Sequence, residues 1–189
     1  MAQINNSTRS TPRPYRARGG TFDLRPFQES TCVSSARIVY GDVVQFDVNV
    51  ATANHRIVKS STMANVPNVL STAFLGVAVE ASADVGSTIG AASEGGGSKL
   101  VICVANKDTE FVFPSKATGA QHASSLVGQR RAIAYDSTLS MFYLDVANST
   151  AGDASLVITE LVDDAGTSNG RIAAKFLSTA VARLVSAAY

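Results

Sequence analysis

GDVVQFDVNV, residues 41–50, sets Val44, Phe46, Val48 and Val50 against Gln45, Asp47 and Asn49. Successive side chains on a strand point to opposite faces, so this alternation predicts a strand with one buried face. Gly41-Asp42 ahead of it is a turn signal, which makes residues 36–40 (ARIVY) the preceding strand. Downstream, residues 72–80 (TAFLGVAVE) predict a strand with Gly76 inside it. A glycine in that position marks a bulge or a close backbone approach. Residues 81–97, rich in Ala, Gly and Ser, predict a long loop ending in Glu94-Gly95-Gly96-Gly97.

Residues 98–105 (SKLVICVA) predict a strand buried on both faces, turned at Asn106-Lys107-Asp108 into residues 109–113 (TEFVF). Pro114 ends that run, because proline cannot donate to a ladder. Residues 115–128 predict a loop carrying His122 as a solvated polar residue. Residues 131–136, 139–146 and 155–162 give three more strands, the first two joined by a turn at Asp136-Ser137-Thr138. In residues 170–189, Ile172, Ala174 and Phe176 alternate as a strand, while residues 180–188 suit a helix or a final strand. Eight or nine short strands spaced about ten residues apart predict a mainly β body, a compact sandwich or barrel.

Residues 1–30 have a different texture. Pro12, Pro14 and Pro26 bias their surroundings away from helix, and Gly19-Gly20 reads as a hinge. The division is therefore an extended N-terminal arm, residues 1–30, and a β body, residues 31–189. Residues 1–22 hold Arg9, Arg13, Arg16 and Arg18 and no acid, which leaves twelve basic and fifteen acidic residues, a net −3, for the rest. A basic arm on a mildly acidic body suits an acidic partner. Four arginines with only Tyr15 among them are too thin a signature for a nucleic-acid binder. Charged residues make up 16% of the chain, so much of its surface is small and polar, which suits packing in an assembly.

The chemistry-bearing patterns are missing. There is no G-x-S-x-G elbow and no G-x-x-x-x-G-K-[ST] loop. His55 and His122 are the two histidines, and neither has a metal-ligand neighbour at close spacing. Cys32 and Cys103 read as two reduced thiols. Asp163-Asp164 reads as a cap for the turn at 165–170 rather than a calcium site. Arg130-Arg131 opens a strand, either guarding an edge or touching a partner. The first ten residues lack the apolar core of a secretory signal, and no run nears the ~18 apolar residues of a membrane span. The expectation is a non-enzyme with no cofactor, no metal and no membrane, made in a cytoplasm-like compartment.

The order of the segments carries a resemblance. Gly41-Asp42-Val43-Val44 is followed by Phe74-Leu75-Gly76-Val77-Ala78-Val79-Glu80, a Gly-rich loop and LVICV at 100–104. Then come Leu126-Val127-Gly128-Gln129-Arg130-Arg131, Ile133-Ala134-Tyr135-Asp136, Leu156-Val157-Ile158-Thr159-Glu160 and RIAAKF at 171–176. Over about residues 36–177 the chain resembles the capsid cement, or decoration, proteins of tailed bacteriophages, especially those of marine podoviruses. The resemblance implies a structural virion protein on the outer capsid surface that clamps major capsid subunits after shell expansion. The major capsid protein is then the partner. The arm side chains expected to touch it are Arg9, Arg13, Tyr15, Arg16, Arg18, Phe22, Leu24 and Phe27. Phe176, Leu177, Val181, Leu184, Val185 and Tyr189 are expected to drive self-association, as a trimer or alternatively a dimer. The second reading is another virion surface module: a fibre, tail or host-attachment component.

Overall fold

The computed structural model of the protein describes residues 11–28, 38–46, 57–59, 74–81, 99–116, 121–147, 149 and 154–181. Eleven strands lie among them: β1 Arg13–Ala17, β2 Leu24–Gln28, β3 Val43–Phe46, β4 Ile57–Lys59, β5 Phe74–Ala78, β6 Lys99–Val104, β7 Thr109–Pro114, β8 Arg130–Asp136, β9 Met141–Asp145, β10 Leu156–Leu161 and β11 Arg171–Phe176. They form two antiparallel sheets, ordered β1-β7-β11-β10-β8-β9 and β2-β6-β5-β3-β4. A parallel bridge from Ser115 to Leu144 brings the end of β7 to β9, so the six-stranded sheet curls without a closing ladder. The architecture is a sandwich and not a closed barrel.

Alternation along the strands builds the main core between the sheets. Phe111 and Phe113 of β7, Leu156 and Ile158 of β10, and Ile172, Ala174 and Phe176 of β11 face Val43, Phe74, Val77 and Cys103. Phe176 sits in an aromatic group, its ring centroid 5.4 Å from that of Phe111, 5.7 Å from Phe74 and 6.1 Å from Phe113. The Cys103 thiol is free and buried there. Burial, reinforced by the charge of Asp23, pushes its pKa up to about 12, so the thiolate is not formed at neutral pH.

The five-stranded sheet has a second core on its opposite face, made by Ile38, Val44, Ile57, Leu75, Ala78, Leu100, Ile102 and Val104. Leu100, Ile102 and Val104 thus face the second core, while Cys103 and Ala105 face the first. The same core corrects the reading of residues 41–50. Gln45 is only 2% exposed, because β3 is an interior strand and both faces of its sheet are covered. The Gln45 amide nitrogen has no hydrogen-bond partner among the described residues. Val48 and Val50 lie outside them.

Two glycines carry close approaches. At Gly76 the register between β3 and β5 slips, with Val44 opposite Gly76 and Gln45 opposite Phe74. A Cβ on Gly76 would lie 2.0 Å from the Cys103 carbonyl oxygen. Gly76 therefore marks both a bulge and a close backbone approach. Gly41 has φ +87° and belongs to a turn in which Val39 N–H donates to Asp42 Oδ2 (2.8 Å). Residues 38–42 thus turn where a strand over 36–40 was expected, and Val39 and Tyr40 are exposed. The acidic side chain of Asp42 offers the backbone a local partner that competes with a ladder.

The expected arm is extended, but its described part is not a free tail. β1 pairs with β7 and β2 pairs with β6, so residues 13–28 straddle the two sheets and supply an outer strand to each. Backbone groups of an outer strand still seek partners, and the ladders of β7 and β6 supply them.

Candidate interaction surface

β1 is bulged. Pro14 lies opposite Phe111 and Arg16 opposite Glu110, so Tyr15 has no partner in the ladder. A bulge re-aims its side chain, and Tyr15 stands 36% exposed with the Arg16 guanidinium 4.6 Å from its ring centre. Arg16 also pairs with Glu110 of β7 (3.5 Å) and with Glu160 of β10. Lys175 of β11 reaches the same Glu110 at 3.6 Å. These pairs lace four strands together across the outer face of the six-stranded sheet. Arg16, its side chain 54% exposed, is already paired within the chain.

The other expected contact residues divide. Phe22 and Leu24 are exposed, at 37% and 53%. Phe27 instead packs on the second core, edge-on to Phe46 with centroids 5.9 Å apart. Arg13 and Arg18 are exposed and form no ion pair among the described residues, while Arg25 is paired with Asp23 at 2.8 Å. Arg9 lies outside the described residues.

The expected self-association residues are placed otherwise. Phe176 is 4% exposed because β11 is interior and its inward face meets the opposite sheet, so it is not surface. Leu177 and Val181 pack partly buried on the same core, where Val181 bridges to Phe74. Leu184, Val185 and Tyr189 lie outside the described residues, as do His55 and Cys32.

His122 overturns its expectation as a solvated residue. It is fully buried, and its ring fills the space a Cβ on Gly170 would need, 2.6 Å from that position. Its Nε2 lies 3.2 Å from the Asp163 carbonyl oxygen, and its own carbonyl accepts Gly166 N–H at 2.7 Å. Ser115 donates to the Gly170 carbonyl from its hydroxyl (2.8 Å) and its N–H (3.1 Å). The ring therefore pins the β10–β11 connection to the loop after β7. No sequence pattern signals this, since the glycine that admits the ring lies 48 residues downstream.

Asp163 acts as the cap expected of it. It accepts Arg171 N–H at 2.7 Å and the Arg171 guanidinium at 2.6 Å. The bonded guanidinium holds its carboxyl below the usual carboxylate range. The stabilisation is complete above pH ~4 and is lost as pH falls through the lowered value. Asp163→Asn should cost about 1 kcal/mol at pH 7, a modest figure because the pair is partly solvated, and should flatten the fall in stability below pH ~4. Urea melts from pH 7 to pH 2 test this: parallel curves for the two proteins would refute it.

Arg131 is not an edge guard. β8 runs between β10 and β9, and Arg131 Nε donates to the Val146 carbonyl at 2.8 Å. Arg130 is exposed with no ion pair among the described residues. Among the described residues no three His, Cys, Asp or Glu side chains group as metal ligands, and no helix is long and apolar enough to cross a membrane. A scan against models of known protein families finds no match to this chain, and a search of curated proteins finds no relative.

Proposed function

We propose that this chain is a structural virion protein that binds the outer surface of a bacteriophage capsid and cements its major capsid subunits. One observation carries the reading: Tyr15 and Leu24 stand exposed on strands that the body's own sheets hold in place, and Phe22 stands exposed in the connection just before β2. Large apolar side chains held rigidly at a surface lose little further freedom when a partner covers them. The resemblance of residues 36–177 to cement proteins supports the same reading. Cementing needs only tighter binding to the expanded lattice than to the precursor or broken one. Modest contacts then sum through self-association and lattice multivalency. A trimer at local threefold positions fits that geometry, with a dimer across twofolds as the alternative.

The test is to strip particles, re-decorate them with wild-type or variant protein, and heat them. Phe22→Ala with Leu24→Ala should weaken decoration by about 1 kcal/mol per side chain. The temperature of DNA release should fall, while the melting temperature of the free protein should hold. Phe27 is left intact because it belongs to the body's packing. If stripped and decorated particles release DNA at the same temperature, the protein is not a cement. A fibre, tail or host-attachment component then becomes the leading reading.

A further inference from the structure

Among the described residues, five of the seven exposed large hydrophobic side chains are Tyr15, Phe22, Leu24, Val39 and Tyr40. The last two come from a turn distant from β1 in sequence, yet the fold sets that turn against the approach to β1. A Cβ on Gly41 would lie 2.5 Å from Thr11 Cβ and 2.9 Å from the Pro12 carbonyl oxygen. At the far end of β1, Arg18 N–H donates to the Asp108 carbonyl (3.0 Å) and the Gly20 N–H to the Ala17 carbonyl (2.9 Å), after which Phe22 and Leu24 follow. Residues 11–17, nearly extended, span about 23 Å. The Val39–Tyr40 turn, Tyr15 and the Phe22–Leu24 corner therefore follow one another along β1, a seam that leads from one sheet to the other.

The charges along this seam are unbalanced. Arg16 is matched by Glu110 and Glu160, and Arg25 by Asp23. Arg13 and Arg18, at either side of Tyr15, have no carboxylate among the described residues. The main chain is a poor template for an added strand, because Pro14 and Pro26 lack an N–H and β1 is bulged at Tyr15. Recognition must then run through side chains.

We infer that this seam is a single docking surface whose partner is an acidic protein face, with carboxylates spaced to take Arg13 and Arg18, an apolar pocket between them for Tyr15 and a second beyond Arg13 for Tyr40. The inference rests on the cement reading, in which that face belongs to the major capsid subunit. It adds Val39 and Tyr40 to the contact and excludes strand addition. A guanidinium fork matches a carboxylate with two parallel bonds, which fixes register as well as affinity. Nucleic acid fits less well, since two free cations among apolar side chains neutralise few phosphates.

The test measures decoration of stripped, expanded particles by the full-length protein over a range of salt concentrations. Four proteins are compared: wild type, Arg13→Glu with Arg18→Glu, Val39→Ser with Tyr40→Ser, and a control, Val127→Ser with Leu139→Ser. The control alters the two exposed apolar residues of β-strand connections elsewhere. The first two variants should bind about tenfold or more weakly, the arginine variant should lose most of the salt dependence, and the control should bind as wild type. Melting temperatures confirm that all four fold. If wild type decorates and the Val39/Tyr40 variant binds equally well, the seam is wrong and the cement reading stands. If wild type fails to decorate, both fall. If a 20-base-pair duplex DNA binds wild type and loses the arginine variant, the partner is nucleic acid and the inference is overturned.

Discussion

Phe176→Ala should markedly lower the stability of the fold, and not merely weaken self-association of an otherwise unchanged body. The ring is 4% exposed and lies within 5.4–6.1 Å of three other phenylalanine rings, centroid to centroid. Removing it deletes the link between β7 and β11 of one sheet and β5 of the other. Truncating a buried Phe costs about 3–5 kcal/mol, because the surrounding core collapses only partly into the cavity. For a domain of this size that is a fall in melting temperature of about 6–20 °C. Phe176→Leu, which keeps most of the volume, should recover more than half of the loss. Calorimetry with light scattering on both variants separates the two roles. A Phe176→Ala protein that melts as wild type but no longer self-associates would return Phe176 to the surface.

Gly76→Ala should be nearly as damaging, although it adds one methyl group. That methyl would have to sit 2.0 Å from the Cys103 carbonyl oxygen and 3.1 Å from the Ala105 nitrogen. Both are backbone atoms, in β6 and just past its end, so no side-chain rotation relieves the clash. β5 would have to part from β6, which costs about 3 kcal/mol or more. Two other glycines calibrate the result. Gly19 has open space and an ordinary φ, so Gly19→Ala should be neutral or slightly stabilising. Gly166 has open space but φ +90°, so Gly166→Ala should cost about 1–2 kcal/mol through backbone strain alone. If Gly76→Ala melts within about 2 °C of wild type, the β5–β6 approach is not as close as described.

Both results bear on function, because they separate what holds the body together from what it offers a partner. The body depends on Phe176, Gly76 and the double core around β6. The surface proposed to meet a partner consists of exposed side chains outside the core: Tyr15, Phe22, Leu24, Val39 and Tyr40, with Arg13 and Arg18. Substitutions in the second set should change binding and leave melting unaltered. A cement protein requires that separation, since it must stay folded while its contact surface matches a lattice.

Strand-forming texture was legible because it is local. The strand-forming runs of β3 and β6 and a turn between β8 and β9 follow from neighbouring residues, although β7 runs on through Pro114 and the turn covers residues 137–140 where 136–138 was expected. Gly76 was legible too, because a glycine inside an apolar strand has few other reasons to be there. The acidic cap at Asp163 needed only the turn that follows it. What the sequence could not carry was the company each strand keeps. Gln45 belongs to an alternating pattern that looks half-wet, yet a second core on the outer face of its sheet makes both sides dry. His122 looks like a loop residue until Gly170 leaves room for its ring. Phe176 looks available until β11 is placed between β7 and β10. Val39 and Tyr40 look like strand until Asp42 turns them outward against the start of β1. Local chemistry determined that this chain makes short strands, where several of them end and which glycines are tight. Only the tertiary structure decided which faces are buried and which side chains remain for a partner, because burial depends on residues far apart in sequence and brought together by sheet order.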